Sequence, residues 1–284
     1  MTTPSGARSD EVLLRFEGVS LRFDEIVALD GISFELRPGE TRVVLGAAGS
    51  GKTTLLKAAI GLIPVSSGKI MLFGQDIIGM TEAQLFELRS GVGVLFQEGG
   101  LFDSITVEEN VAYPLLNRRE RTESITQVEG KVREALRFVE LEHTMEQYPA
   151  ELSGGMRRRV GIARAVVSEP PLVLYDSPTA GLDPITANTI MALVAKERDS
   201  TNTANLIVTQ RYQDGQLMAN FRYNPSSGQL ESASSNGAAG GNGSNPTRTV
   251  FMVMKEGRVV FEGTQHELEA SHDDYIRRFV PTHT

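Results

Sequence analysis

A glycine-rich loop with one lysine has the residue types and the spacing needed to hold phosphate groups. The loop runs from Gly46 to Thr53, between a segment expected to form a strand and a segment expected to form a helix. Its glycines allow backbone N–H groups to surround phosphate oxygens, and the N-terminus of the following helix adds partial positive charge. We expect Lys52 to contact the β- and γ-phosphates and the Thr53 hydroxyl to bind Mg²⁺. The sequence therefore predicts a nucleoside triphosphate site at Gly46, Gly49, Ser50, Gly51, Lys52, Thr53 and Thr54.

A second group of candidates lies later in the chain. The apolar run 172–176 is expected to be a buried strand that ends in Asp176, a carboxylate suited to Mg²⁺. Shortly before it, Ser153, Gly154 and Gly155 precede an arginine-rich segment expected to be a helix. These three residues lie at the expected N-terminus of that helix. The run Arg157–Arg159 itself is expected to form a solvated or interdomain face.

The elements that must position these residues alternate between strand and helix. Apolar runs bounded by turn residues predict strands at 12–19, 32–36, 41–45, 67–73, 172–176 and 204–209. Helices are expected at 52–62, 125–142 and 184–198, and capping boxes at Thr81 and Thr106 mark further helix starts. The alternation indicates an α/β fold with a mainly parallel sheet, interrupted by a helical insertion at about 81–168.

Composition and charge exclude several classes of function. The chain has 284 residues, a net charge of −8 and no cysteine. An acidic surface argues against nucleic acid as the main partner, because phosphate backbones are bound by clustered Lys and Arg. The lack of cysteine excludes disulfides and thiolate metal sites. No apolar run approaches the roughly 20 residues that span a bilayer, and the polar start is not expected to be a signal peptide, so a partner would supply any membrane-spanning helices.

Three segments are expected to lie outside the ordered part of the domain, which extends over 11–270. Residues 1–10 are expected to form a flexible N-terminal tail, and residues 271–284 a C-terminal tail. Residues 224–247 are rich in Gly, Ser and Asn, and such a segment buries too little apolar surface to offset the entropy lost on ordering. We expect this segment to be a disordered insertion.

The order and spacing of the glycine loop, the Ser153-Gly154-Gly155 group and Asp176 resemble the pattern of the ABC-type ATPases. The resemblance covers roughly residues 11–270, apart from the loop near 212–247. It implies a P-loop NTPase fold with a RecA-like core, an antiparallel β subdomain and a helical ABC subdomain. It also implies a head-to-tail dimer that encloses ATP and Mg²⁺. In such a dimer, the Ser153-Gly154-Gly155 group of one subunit contacts the γ-phosphate held by the glycine loop of the other.

Three further positions match the same family. Gln97 matches the glutamine that senses Mg²⁺ and couples to a transmembrane permease, and Asp183 matches the loop that crosses the dimer interface. Phe23 matches the aromatic residue that stacks on adenine, although an ordinary core phenylalanine is an alternative. The implied partners are a permease and a second ABC subunit, identical or different.

Two other stretches, 100–116 and 273–279, resemble the Mla-type ATPases, which power lipid transport with MCE-domain proteins. This narrower resemblance implies a peripheral subunit at the cytoplasmic face of the inner membrane. It also implies a lipid or another hydrophobic compound as the cargo, and an MCE-domain substrate-binding protein as a further partner.

Two positions depart from the family pattern, and both belong to the hydrolytic site. Ser177 stands where the family has the glutamate that activates water, and Gln210 stands where it has a histidine that contacts the γ-phosphate. A positioned general base typically contributes about 10²–10⁴ in rate. The catalytic candidates are Asp176, Gln97, Ser177 and Gln210, and the candidate Mg²⁺ ligands are Thr53, Gln97 and Asp176.

The departures leave several alternatives open. The chain could bind ATP, dimerise and hydrolyse slowly, or Gln210 could orient the attacking water, as a glutamine does in some GTPases. The chain could instead be the degenerate half of a heterodimer that completes its partner's site. Beyond transport with turnover, an ATP-gated regulatory or structural subunit and an ABC protein without a permease are the competing classes.

Overall fold

The structure is a computed structural model that describes residues 11–118, 123–233 and 249–281. Its strands are β1 (Leu14–Phe23), β2 (Ile26–Leu36), β3 (Thr41–Leu45), β4 (Ser67–Leu72), β5 (Gln75–Asp76), β6 (Val92–Leu95), β7 (Leu172–Asp176), β8 (Ala204–Thr209), β9 (Phe221–Asn224), β10 (Gln229–Ser232), β11 (Thr249–Lys255) and β12 (Arg258–Gly263). Its α-helices are α1 (Lys52–Ala59), α2 (Glu82–Arg89), α3 (Val107–Leu116), α4 (Ile125–Phe138), α5 (Gly154–Val166), α6 (Pro184–Thr201), α7 (Tyr212–Asn220) and α8 (Gln265–Glu269).

A six-stranded sheet forms the centre of the molecule. Its strand order is β12-β11-β3-β8-β7-β6; β12 is antiparallel to β11, and the other neighbours are parallel. Strands β3, β7 and β8 are buried along their whole length, as expected of parallel strands covered on both faces. Parallel strands end at one edge of a sheet, so the glycine loop after β3, Asp176 at the end of β7 and Gln210 after β8 share that edge.

A second sheet, ordered β2-β1-β4-β5, is antiparallel and confirms the predicted antiparallel β portion. Strands β1 and β2 are longer than the apolar runs suggested, because their pairing continues through irregular register as far as Phe23 and Ile26. Phe16 and Phe34 stack across this pair with their ring centroids 4.7 Å apart. The two sheets share one hydrophobic core, in which residues of β1 and β2 pack with residues of β7 and β8.

Helices α2–α5 and strand β6 separate the antiparallel sheet from β7 in the sequence. Both predicted capping boxes are confirmed: the hydroxyls of Thr81 and Thr106 each accept a backbone N–H, from Gln84 and Glu109. Ser124 caps α4 in the same way. Helices α3, α4, α5 and α6 pack a common core against the face of β7 and β8 that points away from α1.

The expectation of a disordered insertion over 224–247 was wrong for residues 224–232. Strands β9 and β10 form an antiparallel hairpin there, beginning at Phe221. The hairpin is held by α6, since the Arg198 guanidinium donates to the Phe221 carbonyl at 3.0 Å and an Asp199 oxygen accepts the Tyr223 N–H at 2.7 Å. Residues 234–247 lie outside the described residues, as do residues 1–10.

The first part of the predicted C-terminal tail packs on the fold. Ile276 is only 4% exposed and joins a core formed by β3, β11, α7 and α8. Within the described ranges, no helix is both long enough and apolar enough to cross a membrane.

Candidate functional site

The glycine loop is shaped by close backbone contacts that only glycine permits. Gly51 has a φ of 102°, and a Cβ atom there would lie 2.4 Å from the carbonyl oxygen of Ala28. A Cβ atom at Gly46 would lie 2.6 Å from the carbonyl oxygen of Met254. Strands β2 and β11 therefore confine the loop from two sides, and α1 begins at Lys52, near the end of the loop.

Lys52 is the cation of this loop. Its ammonium group donates to the carbonyl oxygens of Gly46 at 2.8 Å and Ala47 at 2.7 Å, and to the Ser50 hydroxyl at 3.2 Å. Burial lowers the pKa of Lys52, and the negative charge of Asp176 opposes that shift. A tightly held ammonium inside a curled backbone is suited to bind an anion that offers better acceptors than carbonyl groups.

Two of the three predicted Mg²⁺ ligands lie together. Thr53 and Asp176 line the same small cavity at the edge of the central sheet, and Asp176 is 4% exposed. Gln97 lies one residue beyond Phe96, which also lines that cavity, but Gln97 itself lines a neighbouring one with Gly154. A hydroxyl and a carboxylate are the oxygen ligands that suit Mg²⁺, which keeps several waters. Among the described residues, no cluster of three or more His, Cys, Asp or Glu side chains could hold a metal.

Ser177 turns back toward the strand that precedes it. Its hydroxyl donates to an Asp176 carboxylate oxygen at 3.0 Å, and its N–H donates to the Val208 carbonyl at 2.8 Å. The φ of Ser177 is 52°, in the left-handed region. At this position the chain therefore offers a hydroxyl engaged with Asp176 and no carboxylate that could accept a proton from water.

Arg158 supports the loop after β7 from the neighbouring helix α5. Its guanidinium donates to the carbonyl oxygens of Ser177 at 2.7 Å and Ala180 at 3.2 Å. Arg158 is 4% exposed, so the expectation of a solvated or interdomain face for the arginine run was wrong at this residue. A helix turns by about 100° per residue, so three consecutive arginines face different directions, and Arg158 is the one that faces the loop after β7.

A buried carboxylate links Gln210 to the loop that contains Asp183. The Thr179 hydroxyl donates to both oxygens of Asp214, at 2.8 and 2.7 Å, and the Thr209 hydroxyl donates to one of them at 2.7 Å. Asp214 is 2% exposed, and this burial raises its pKa. Gln210, next to Thr209, is exposed. Sequence reasoning missed Asp214, because the only signal was a pair of threonines beside the motifs.

The helix starts at Ser153 and Asp183 are both capped and solvent-facing. The Ser153 hydroxyl accepts the Met156 N–H at 3.2 Å. Asp183 accepts the N–H groups of Ile185 and Thr186 at 3.0 Å each, and its hydrogen bonds with Thr186 lower its pKa. Gly154 lines a cavity of about 500 Å³ with Gln97 and Gly181, whereas the glycine loop lines other cavities.

A Cβ atom at Gly155 would lie 2.8 Å from the Thr186 methyl group, so α5 and α6 approach closely at this point.

Phe23 is 49% exposed at the end of β1, and its strand partner Ile26 is 71% exposed. Phe23 is therefore not an ordinary core phenylalanine. The contact of Ala28 with Gly51 shows that β2, the partner strand of β1, runs beside the glycine loop.

The sheet topology, the glycine loop and the capped helix starts together define an ATP-binding cassette. The family model described as ABC transporter matches residues 29–180. The chain belongs to the ABC transporter family and to its class of ABC ATPases, whose cassettes bind ATP with Mg²⁺.

Two relatives and one solved structure illustrate the similarity. The methionine import ATP-binding protein MetN of Corynebacterium diphtheriae is 39% identical over 202 residues, covering 69% of this chain and 58% of MetN. The intermembrane phospholipid transport system ATP-binding protein MlaF of Haemophilus influenzae is 31% identical over 268 residues, covering 94% of this chain and 90% of MlaF. The ATP-binding cassette MJ0796, solved as a dimer in a post-hydrolysis state bound to ADP and Pi, superposes with a TM-score of 0.71 at 25% identity, covering 88% of this chain and 98% of MJ0796. The chain thus spans little more than half of the MetN relative and most of the other two.

Proposed function

We propose that this chain is the nucleotide-binding subunit of an ABC transporter, which binds ATP with Mg²⁺ and drives a membrane permease. The observation that carries the proposal is the glycine loop, in which Lys52, the first residue of α1, donates to backbone carbonyl groups of the loop. Thr53 and Asp176 would hold the Mg²⁺ ion, which would neutralise phosphate charge. Phe23, exposed at the end of β1, would stack on the adenine ring.

A second ABC subunit would complete the site. Ser153 and Gly154 are exposed at the start of α5, and Gly154 lines a different cavity from the glycine loop of its own chain. An exposed helix N-terminus binds an anion only if one is brought to it. A head-to-tail dimer would bring the ATP held by one subunit to Ser153, Gly154 and Gly155 of the other, with Asp183 near the interface.

The permease would dock on an apolar groove of the helical part. A cavity of about 280 Å³ is lined by Phe86 of α2, Val92 of β6 and Tyr113 of α3. Phe86 is 47% exposed and Tyr113 is 43% exposed, and Phe102 packs on Tyr113 with their ring centroids 4.7 Å apart. Exposed aromatic groups around a groove are typical of an interface for an apolar helix. Docking there would place the chain as a peripheral subunit at the cytoplasmic face of the inner membrane.

The cargo would be a lipid or another hydrophobic compound. The MlaF relative, named for intermembrane phospholipid transport, matches over 94% of this chain and 90% of its own length. The MetN relative, named for methionine import, shares more identity but is covered over only 58%. The extent of the match supports the lipid alternative, and with it an MCE-domain protein as a further partner.

Hydrolysis would be slow. The Ser177 hydroxyl is bound to Asp176 and cannot act as a base at neutral pH, while Gln210 is exposed and could orient water without accepting its proton. ATP would close the dimer, and the closed state would be long-lived.

The first test is steady-state ATP hydrolysis by the purified chain, with and without its permease, for wild type, Ser177→Glu and Ser177→Gln. We expect Ser177→Glu to raise kcat by about 10²–10⁴, the usual contribution of a positioned general base. Ser177→Gln, which matches the size of glutamate without its charge, should give no such gain. Lys52→Ala should abolish ATP binding.

Fast turnover by wild type that Ser177→Glu does not increase would refute slow hydrolysis, and loss of that turnover in Gln210→Ala would assign water positioning to Gln210. Failure of wild type to bind ATP would refute the proposal itself. Activity that appears only on mixing with a different ABC subunit would indicate a heterodimer.

A further inference from the structure

The C-terminal segment, residues 271–281, contacts the glycine loop. The Tyr275 hydroxyl accepts a hydrogen bond from the backbone N–H of Ala47, with 3.2 Å between the two atoms. The same hydroxyl donates to the carbonyl oxygen of Met254, at 3.0 Å. One side chain from the end of the fold therefore connects the loop to the last residues of strand β11.

The tyrosine ring is held in place by several independent contacts. An Asp273 carboxylate oxygen accepts the N–H groups of Tyr275 and Ile276, at 2.8 and 3.1 Å, which fixes the turn that presents the ring. Phe279 packs edge-on against the ring with their centroids 5.3 Å apart, and the Lys255 ammonium lies 5.2 Å from the ring centroid. Because Ile276 is buried in the core that also contains residues of β3, the segment is anchored beside the strand that leads into the loop.

The turn between β11 and β12 also supports the glycine loop through its backbone. The N–H of Gly257, in the turn between β11 and β12, donates to the Ser50 carbonyl at 3.2 Å. Together with the Tyr275 hydroxyl, this bond holds the loop at Ala47 and at Ser50, on either side of Gly49. Between these supports lies an open cavity of about 570 Å³, lined by Ala48, Gly49, Lys255, Tyr275 and other residues of the C-terminal segment.

We infer that Tyr275 is a positioning residue for nucleotide binding, which acts through the backbone of the glycine loop. Its hydroxyl accepts the Ala47 N–H and so holds the loop in one conformation, in which the remaining N–H groups of the loop are preorganised for the phosphates. Preorganisation raises affinity because less order has to be imposed when the ligand binds. Without the hydroxyl, the loop samples other conformations and ATP binds more weakly. The inference rests on the proposed binding of ATP at this loop.

The test uses Tyr275→Phe in the full chain, which removes the hydroxyl and keeps the ring that packs on Phe279. Tyr223→Phe is the matched control, because Tyr223 lies in the β9–β10 hairpin. Two readouts are needed: the rate of amide hydrogen exchange over residues 45–50 without nucleotide, and the Kd for ATP with Mg²⁺. We expect faster exchange over 45–50 in Tyr275→Phe and a Kd raised about two- to tenfold, the range for one net hydrogen bond. Tyr223→Phe should match wild type in both.

Unchanged exchange over 45–50 in Tyr275→Phe would show that the hydroxyl does not order the loop and would overturn the inference. Faster exchange with an unchanged Kd would also overturn it, because the contact would then be structural only. The exchange readout needs no nucleotide, so a wild-type chain that failed to bind ATP would refute the proposed function separately.

Discussion

Ser177 combines two roles that can be separated by substitution. Its left-handed φ of 52° is strained for any residue with a Cβ atom, and its hydroxyl is bound to Asp176. Ser177→Gly and Ser177→Ala both lose the hydroxyl, but only glycine relieves the backbone strain. We expect Ser177→Gly to be more stable than Ser177→Ala by about 1 kcal/mol in the free energy of unfolding measured with urea. Equal stability of the two variants would show that the backbone at Ser177 is not strained in solution.

The residues of the glycine loop could be located from the sequence because the whole motif is contiguous and its chemistry depends on the backbone. Lys52 and Thr53 needed only a preceding strand and a following helix, and the structure has both. The capping boxes at Thr81 and Thr106 were equally local. Asp214 was not predictable, since its partner Thr179 lies 35 residues away and meets it only after β7 and β8 have paired.

At the scale of elements, the largest error concerned the β9–β10 hairpin. Its composition favours disorder when it is considered alone. The hairpin is ordered by α6, where Arg198 donates to Phe221 and Asp199 accepts from Tyr223. Tertiary contacts of this kind override local composition, and no spacing in the sequence indicates them.

Asp214 couples the end of β8 to the loop after β7, and its titration should be visible in stability. Burial raises the pKa of Asp214 above its ordinary 3.8, while the hydroxyls of Thr209 and Thr179 and the charge of Arg211 oppose the shift. The folded state therefore binds the proton more tightly than the unfolded state does. This contribution is fully present below the unfolded pKa and is lost as pH rises through the folded pKa.

We expect Asp214→Asn, which cannot ionise, to gain stability relative to wild type as pH rises from 4 through the folded pKa. The measurement is urea unfolding of both proteins across this range. Glu197→Gln is a suitable comparison, because burial also raises the pKa of Glu197. The effect of Glu197→Gln on the free energy of unfolding should be independent of the Asp214 substitution. A stability difference between Asp214→Asn and wild type that stays constant with pH would contradict a raised pKa for Asp214.

At the scale of the whole molecule, the proposed function divides one ATP site between two chains. In one subunit, the glycine loop lines one cavity. Ser153 caps α5, and Gly154, the first residue of α5, lines a different cavity. If hydrolysis is slow, ATP should hold the dimer closed long enough for it to accumulate in solution. Disrupting the second half of the site should then block dimerisation without weakening ATP binding to the single subunit.

Gly154→Asp provides that disruption with little cost to folding. A Cβ atom at Gly154 would have one neighbouring group within 4 Å, the Arg157 guanidinium at 4.0 Å, and a carboxylate in the first turn of α5 is favourable for the helix. In the dimer, however, the same carboxylate would face the γ-phosphate held by the other subunit and repel it. We expect light scattering with ATP and Mg²⁺ to show dimers for wild type and monomers for Gly154→Asp, with an unchanged Kd for ATP in the monomer. Gly130→Asp is the matched control, since Gly130 is an exposed helical glycine with open space around it in α4, and it should dimerise as wild type does. Dimers of Gly154→Asp as abundant as those of wild type would show that α5 does not contact the nucleotide across the interface. If α5 did make that contact, the carboxylate and the γ-phosphate would repel each other and weaken the dimer.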